Sequence, residues 1–188
     1  MTDKLLLDGK FYSVDDLDTL PDELKLHNLS TKTVDNITAF FTKDSVFSNH
    51  HPCKFTDGDN QFSSVEQYFM FHKAQHFGDQ STAQKIMESN DPKEAKELGK
   101  KVKNFERNAW RATCETYMYK GVKAKFEQNT LLKKHLKDTT GQTLVEANPN
   151  DRYWGAGLSL QSRDLWNTTN WKGQNRLGKL LCQLRDEL

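Results

Sequence analysis

The stretch Ser63 to Phe77, SSVEQYFMFHKAQHF, limits what this chain can become more than any other. It opens with S-x-x-E spacing (Ser63, Glu66), in which a hydroxyl and a carboxylate close off the first turn of a helix. An apolar run follows, interrupted by two ionisable groups, Glu66 and Lys73. Seven residues at about 100° each return Lys73 to the face of Glu66, roughly 10 Å further along the axis. Phe69 and Met70 occupy the turn between them. A carboxylate and an amine on an apolar helix face are costly to bury unless they pair or take part in chemistry. Two readings follow. Either Glu66 caps the helix and Lys73 reaches to water, or the two form a functional pair.

A chain of 188 residues holds one domain, or one with an extension, and a sizeable core. The formal net charge of +1 sets up no global field toward nucleic acid or a membrane surface. Eleven Phe and four Trp suggest a core or pocket built from rings. Cys53, Cys114 and Cys182 are scattered with no C-x-x-C pair. That speaks against a disulfide framework or structural zinc and fits a reducing compartment. The longest leading apolar run, Leu5 to Leu7, is too short for a signal peptide or a span. The expected location is intracellular: cytoplasmic, with the nucleus also open.

Residues 1–37 read as an N-terminal extension. LLLDGKFY carries a hairpin signal around Asp8-Gly9, SVDDLDTL reads as a short helix capped by Ser13, and 22–37 is polar and patternless. The domain is expected over 38–188. It starts with a strand at ITAFF, a second short strand near Cys53 to Phe55, and a turn at 57–60 that delivers the chain into the Ser63 helix. Asn90-Asp91-Pro92 starts a helix with proline at its first position. A longer helix runs from about Arg107 to Phe126, and Asn129 can cap another. TLVEA (143–147) reads as a strand, NPNDRYWGAG (148–157) as a loop, and GQNRLG leads into a last helix. The expected class is α+β, a predominantly α-helical single domain with a few short strands.

His72 and His76 are spaced i, i+4, and His50-His51 could add a ligand. There is no H-E-x-x-H and no cysteine at metal spacing, so no metal is expected. In the loop, Asp151 precedes Tyr153-Trp154. Gly155 and Gly157 would let the backbone approach something flat or charged, and Trp154 either plugs the core or stacks on a ligand ring. Asn175 reads as the cap of the last helix, with Arg176 beside N–H groups that attract phosphate. The plainer reading is an ordinary cap and a solvated arginine.

Taken in order, these motifs resemble the NADAR superfamily (named for NAD and ADP-ribose), which includes the YbiA-like N-glycosidases. The resemblance runs from about Ile37 to Arg185. Its carriers are FF…FSNHHPC (Phe40, Phe41, Phe47 to Cys53), S-x-E-Q-Y-F…K (Ser64, Glu66 to Phe69, Lys73) and N-x-W with VKAKFEQN (Asn108, Trp110, Val122 to Asn129). LVE…NDRYWGAG (Leu144 to Glu146, Asn150 to Gly157) and the G-x-N-R-L-G segment from Gly173 complete them. His50 stands where an aromatic is common, and Gln67 where several relatives carry His. The resemblance implies cleavage of an N-glycosidic bond between a phosphorylated ribose and an exocyclic base amine. It makes Glu66 the catalytic acid, Lys73 the nucleophile and Asp151 their companion. Ser48, Asn49, Trp110, Tyr153, Trp154, Gly155, Asn175 and Arg176 become substrate-binding residues. It implies no cofactor, no metal, no membrane and no obligate protein partner.

The chemistry agrees with that assignment. A ribose on an exocyclic amine keeps an N–H and a lone pair, so it can open to an imine that a neutral lysine attacks. Aromatic burial by Phe69 and Phe77 would lower the lysine pKa, and Glu66 would shuttle protons. A carboxylate-activated water is the other route. Two substrate branches are open: ADP-ribose on guanine, in nucleic acid or nucleotide, and the phosphoribosyl-aminopyrimidines of riboflavin synthesis. The N-terminal extension favours the first. From other classes come a non-catalytic ADP-ribose or NAD reader and a structural protein whose aromatics are core.

Overall fold

A computed structural model describes the strands Lys4–Leu7 and Lys10–Ser13 and residues 30–188. The helix expected within 13–20 lies outside the described residues. In chain order the elements are β1 (Lys4–Leu7), β2 (Lys10–Ser13), β3 (Thr31–Val34), β4 (Ile37–Phe40), β5 (Phe55–Asp57), β6 (Asn60–Phe62), α1 (Val65–His76) and α2 (Gln80–Glu88). They continue with α3 (Pro92–Lys100), α4 (Arg107–Gln128), α5 (Thr130–Lys137), β7 (Thr143–Glu146), two short 3-10 turns (Arg163–Trp166, Thr168–Asn170) and α6 (Arg176–Glu187). The class is α+β, mostly α. Among the described residues no helix is long and apolar enough to cross a membrane. The chain forms two compact units: Met1–Ser48 with Leu131–Leu188, and Asn49–Thr130, inserted in sequence between those halves.

In the first unit, β1 and β2 pair antiparallel with Leu7 opposite Lys10, the hairpin that Asp8-Gly9 signals. A second sheet has the order β3-β4-β7. β3 and β4 are antiparallel with Val34 opposite Ile37, whereas β4 and β7 are parallel with Ile37 opposite Thr143. β3 corrects the patternless reading of 22–37: β-branched Thr31, Thr33 and Val34 suit a strand, and Asp35 (φ 51) turns the chain back. Ile37, Ala39, Val145, Ala147, Ala156, Leu158, Leu160 and Leu165 form one buried cluster, with Trp166 and Trp171 packed on it. α6 lies directly on β7. A Cβ added at Gly178 would stand 2.1 Å from the Leu144 carbonyl oxygen. That neighbour is main chain in a sheet and cannot yield. Gly178→Ala is therefore expected to cost about 3 kcal/mol of stability, read from urea unfolding. A loss below about 1 kcal/mol would show that α6 shifts freely.

In the second unit, β5 and β6 form a hairpin with Asp57 opposite Asn60, turned by Gly58 at φ +56. α1 is the hub, packed against α2, α3 and α4. Small residues bring these helices close: a Cβ at Gly121 of α4 would lie 2.8 Å from the Tyr68 ring, and one at Gly99 of α3 would overlap the Met70 side chain. α2 has no counterpart in the sequence reading. Only Ala83 and Ile86 of it are buried, so it carries no long apolar stripe. Its one signal is Asp79, whose carboxylate accepts from the Thr82 amide at 3.1 Å as an N-cap does.

Candidate active site

The first turn of α1 is capped by a different pair of residues from the one the spacing suggests. Ser64, not Ser63, is the N-cap, its hydroxyl accepting from the Gln67 amide at 3.1 Å. Gln67 fills the reciprocal role. Its Oε1 accepts from the Ser63 amide at 2.7 Å, and its Nε2 donates to the carbonyls of Ser89 (2.6 Å) and Ile86 (3.0 Å) at the end of α2. The S-x-x-E box expected at Ser63 and Glu66 is thus displaced by one residue to S-x-x-Q, with Ser64 and Gln67 as its two members. Glu66 is only 5% exposed. Its amide donates to the Asn49 carbonyl at 3.0 Å.

Two residues ahead of the hairpin surround that carboxylate. His50 Nε2 lies 3.6 Å from Glu66 Oε2. Burial, and then the charge of Lys96, push the His50 pKa down to about 4, with Lys93 adding to the effect and Asp91 opposing it. The imidazole is therefore neutral at pH 7, and its approach to Glu66 is a polar contact rather than an ion pair. Asn49 donates from Nδ2 to Met118 Sδ at 3.2 Å. Its Oδ1 is buried with no hydrogen-bond partner among the described residues, an acceptor whose desolvation a ligand donor would offset.

Lys73 lies further along α1. Its Nζ donates to the Gly99 carbonyl at 2.8 Å and stands 4.1 Å from the centroid of the Phe105 ring. Burial lowers its pKa, and the charge of Glu66 partly restores it. The ring over the amine is thus Phe105 rather than Phe69 or Phe77. Phe69 meets Trp110 (5.1 Å between centroids), and Phe77 meets the edge of Phe105 (5.4 Å). Trp110 is buried and stacks on Tyr117 at 5.6 Å, which stacks on His72 at 5.1 Å. His72 is therefore part of an aromatic column, and among the described residues no three His, Cys, Asp or Glu gather as metal ligands.

The remaining sequence-derived residues belong to the other unit. Ser48 is buried, its amide donating to the Ser45 carbonyl at 3.0 Å. Asp151 Oδ1 accepts from the amides of both Tyr153 and Trp154 at 2.8 Å, which shapes the loop. The Arg176 guanidinium lies 5.5 Å from the Tyr153 ring centroid. Two readings change here. The close approach that Gly155 permits is to the protein's own main chain: a Cβ there would be 2.9 Å from the Glu146 carbonyl oxygen. Asn175 precedes α6 in a left-handed conformation (φ 48) and makes no side-chain cap. Its amide instead donates to the Leu144 carbonyl at 2.9 Å and accepts from the Glu146 amide at 3.1 Å, stitching α6 to β7.

Sequence reasoning passed over Lys125, which is 1% exposed on α4. Its placement after Val122 and before Phe126, on the buried stripe, was the available signal. Burial drives its pKa down to about 8, against a smaller opposing effect of Cys53. Both displaced groups make stability depend on pH. Unfolded His50 takes up a proton from about pH 6.5 downward, but the folded residue does so only near 4, so stability falls as pH drops through that window. Unfolded Lys125 holds its proton to about pH 10.4 and the folded residue to about 8, so stability rises between those values. Lys125→Met is accordingly expected to stabilise by roughly 2 kcal/mol at pH 7. The gain should fade above about pH 10. Urea midpoints across pH test both slopes. A destabilised Lys125→Met would mean that the contacts of the ammonium outweigh its burial.

Comparison with known proteins places this geometry in context. The NADAR domain family matches residues 39–188. An N-glycosidase of Acanthamoeba polyphaga mimivirus is 38% identical over 147 residues, spanning 76% of this chain and 86% of the relative. The N-glycosidase YbiA of Escherichia coli is 33% identical over 157 residues, 82% of this chain and 89% of the relative. The NMR structure of E. coli YbiA superposes with a TM-score of 0.67 at 29% identity, covering 86% of this chain and 90% of that one. A chloroplastic riboflavin biosynthesis protein of Zea mays, PYRR, is 30% identical over 168 residues, 81% of this chain but 25% of the maize protein.

Proposed function

Because this chain belongs to the NADAR family, we propose that it hydrolyses the N-glycosidic bond between a phosphorylated ribose and an exocyclic base amine, removing ADP-ribose from guanine. The observation that carries this is α1: a buried carboxylate in its first turn and, further along, an amine whose pKa burial lowers. The N-glycosidase names of the mimivirus and E. coli relatives support the reaction class.

The steps follow from the groups present. The lone pair of the glycosidic nitrogen expels the ring oxygen, opening the ribose to an imine at C1. Neutral Lys73 adds to C1, and Glu66 as the acid gives a proton to the base amine, which departs. A sugar Schiff base on Lys73 remains. The Glu66 carboxylate then takes a proton from water as it adds to C1, and collapse releases the sugar and regenerates the amine. One water is consumed and no cofactor is required. Asn49 Oδ1 offers an acceptor to a substrate hydroxyl or N–H. Trp110 contributes to the aromatic wall beside α1. In the other unit, Asp151 presents Tyr153 and Trp154, and Tyr153 with Arg176 suits an anionic group. Residues 1–37 are assigned as an extension to the catalytic domain.

A second substrate, a phosphoribosyl-aminopyrimidine, is favoured by one observation, the maize relative named for riboflavin biosynthesis. It also carries ribose on an exocyclic amine and fits the same steps. Separate incubation with ADP-ribosylated guanosine and with a ribosylaminopyrimidine phosphate, with products read by mass, tests the proposal. Guanosine and ADP-ribose are the expected products. Turnover of the pyrimidine alone would move the assignment to the second branch. ADP-ribose binding without turnover of either would make the chain a reader.

A further inference from the structure

We propose that His50 is a positioning residue for Glu66: in its Nε2–H form it donates to the carboxylate, fixes its orientation, and sets the pH at which Glu66 alternates between acid and base. The inference rests on Glu66 being the proton-transfer group of the proposed reaction.

The geometry brackets Glu66 from one short turn. The Asn49 carbonyl holds the Glu66 amide at 3.0 Å, and the next residue places Nε2 3.6 Å from Oε2. Both side chains are largely withdrawn from solvent, 24% exposed for His50 and 7% for Glu66. In that setting a polar contact is little screened by water. The distance exceeds a formed hydrogen bond, but such contacts in ligand-free sites are often long and tighten when substrate closes the pocket.

The groups facing His50 explain why a histidine here does not simply form an ion pair. Lys96 and Lys93 of α3 face it and oppose its protonation, Asp91 at the start of α3 favours it, and Glu66 approaches from α1. Burial is the larger cause and the lysines add to it, so the ring stays neutral at pH 7 and keeps one N–H to give. A neutral donor suits a carboxylate that must change protonation twice per turnover. It stabilises the charged form without trapping it as a cation would.

The test follows the carboxylate itself. With 13C-labelled glutamate, the Glu66 signal, assigned by its loss in Glu66→Gln, is titrated by NMR in the parent, His50→Phe and His50→Gln. Removing the donor in His50→Phe is expected to raise the Glu66 midpoint by about one pH unit, a tenfold change in proton affinity. His50→Gln, which retains an N–H, should stay near the parent. The acid limb of the kcat profile should move with the midpoint while KM stays within about twofold, since the interaction serves the chemical step. If the Phe ring is not accommodated, His50→Ala gives the same reading. A midpoint unmoved, within about 0.2 pH unit, in a folded donor-less variant overturns the inference. The titration needs no substrate. A shifted midpoint in a protein that turns over neither compound would therefore sink the proposed reaction and leave the His50–Glu66 coupling standing.

Discussion

Glu66→Gln is expected to fold as the parent does, to keep its ligand affinity, and to lose about 10²–10⁴-fold in kcat, the usual contribution of a positioned proton-transfer group. The physical reason is the division of labour in the first turn of α1. Ser64 and Gln67 make the cap, so Glu66, one of the two residues between them, can change without costing the helix its start. Glutamine has nearly the volume of glutamate, and the Glu66 amide keeps its bond to the Asn49 carbonyl whatever the side chain. Stability should stay within about 1 kcal/mol. Urea midpoints and product formation measured on the same preparation separate the roles. A variant that is destabilised yet turns over normally would return Glu66 to a purely structural role.

Lys73→Arg carries an equally large expectation, loss of turnover to background. Arginine preserves positive charge but is too basic to serve as the attacking amine. Its bulk also meets the Gly99 carbonyl and the Phe105 ring that hold the lysine amine. Borohydride added during turnover should leave a reduced sugar adduct on Lys73 in the parent and none in the variant, located by peptide mass. The same chemistry forbids ordinary guanosine as a substrate. Its glycosidic nitrogen carries no hydrogen and its lone pair belongs to the ring, so no neutral imine forms. Near-normal turnover by Lys73→Arg, or efficient cleavage of guanosine, would leave Glu66 with an activated water as the mechanism.

Much of the fold is legible in the sequence. The periodicity around Trp110, Met118 and Val122 located α4, Asn90-Asp91-Pro92 located α3, and TLVEA located β7. Helix starts were harder, because adjacent serines offer the same hydroxyl. S-x-x-E and S-x-x-Q overlap at Ser63 and Ser64, and only the packing of the Gln67 amide against the end of α2 selects the second. β3 and α2 were missed because neither is strongly patterned. β3 owes its place to pairing with β4, and α2 to contacts with α1 and α3. Main-chain neighbours are also invisible in a sequence: the Asn175 side chain bonds Leu144 and Glu146 instead of capping α6, and Gly155 lies against the Glu146 carbonyl. Phe105 drew no interest and His50 was weighed only as a metal ligand, because each acts across a fold contact, one over Lys73 and the other beside Glu66.

Gln67 has a dynamic consequence. One side chain fastens the end of β6, the first turn of α1 and the last turn of α2, through Ser63, Ile86 and Ser89. Segments tied by a shared buried amide open together or not at all, because releasing one leaves the same polar atoms unsatisfied for the others. Amide hydrogen exchange should show the starts and ends of these three elements losing protection in a single cooperative event, at a free energy above that of the neighbouring β5–β6 turn. Glu66 sits inside that event. Its orientation is then as long-lived as the local fold itself, a lifetime set at residue 67.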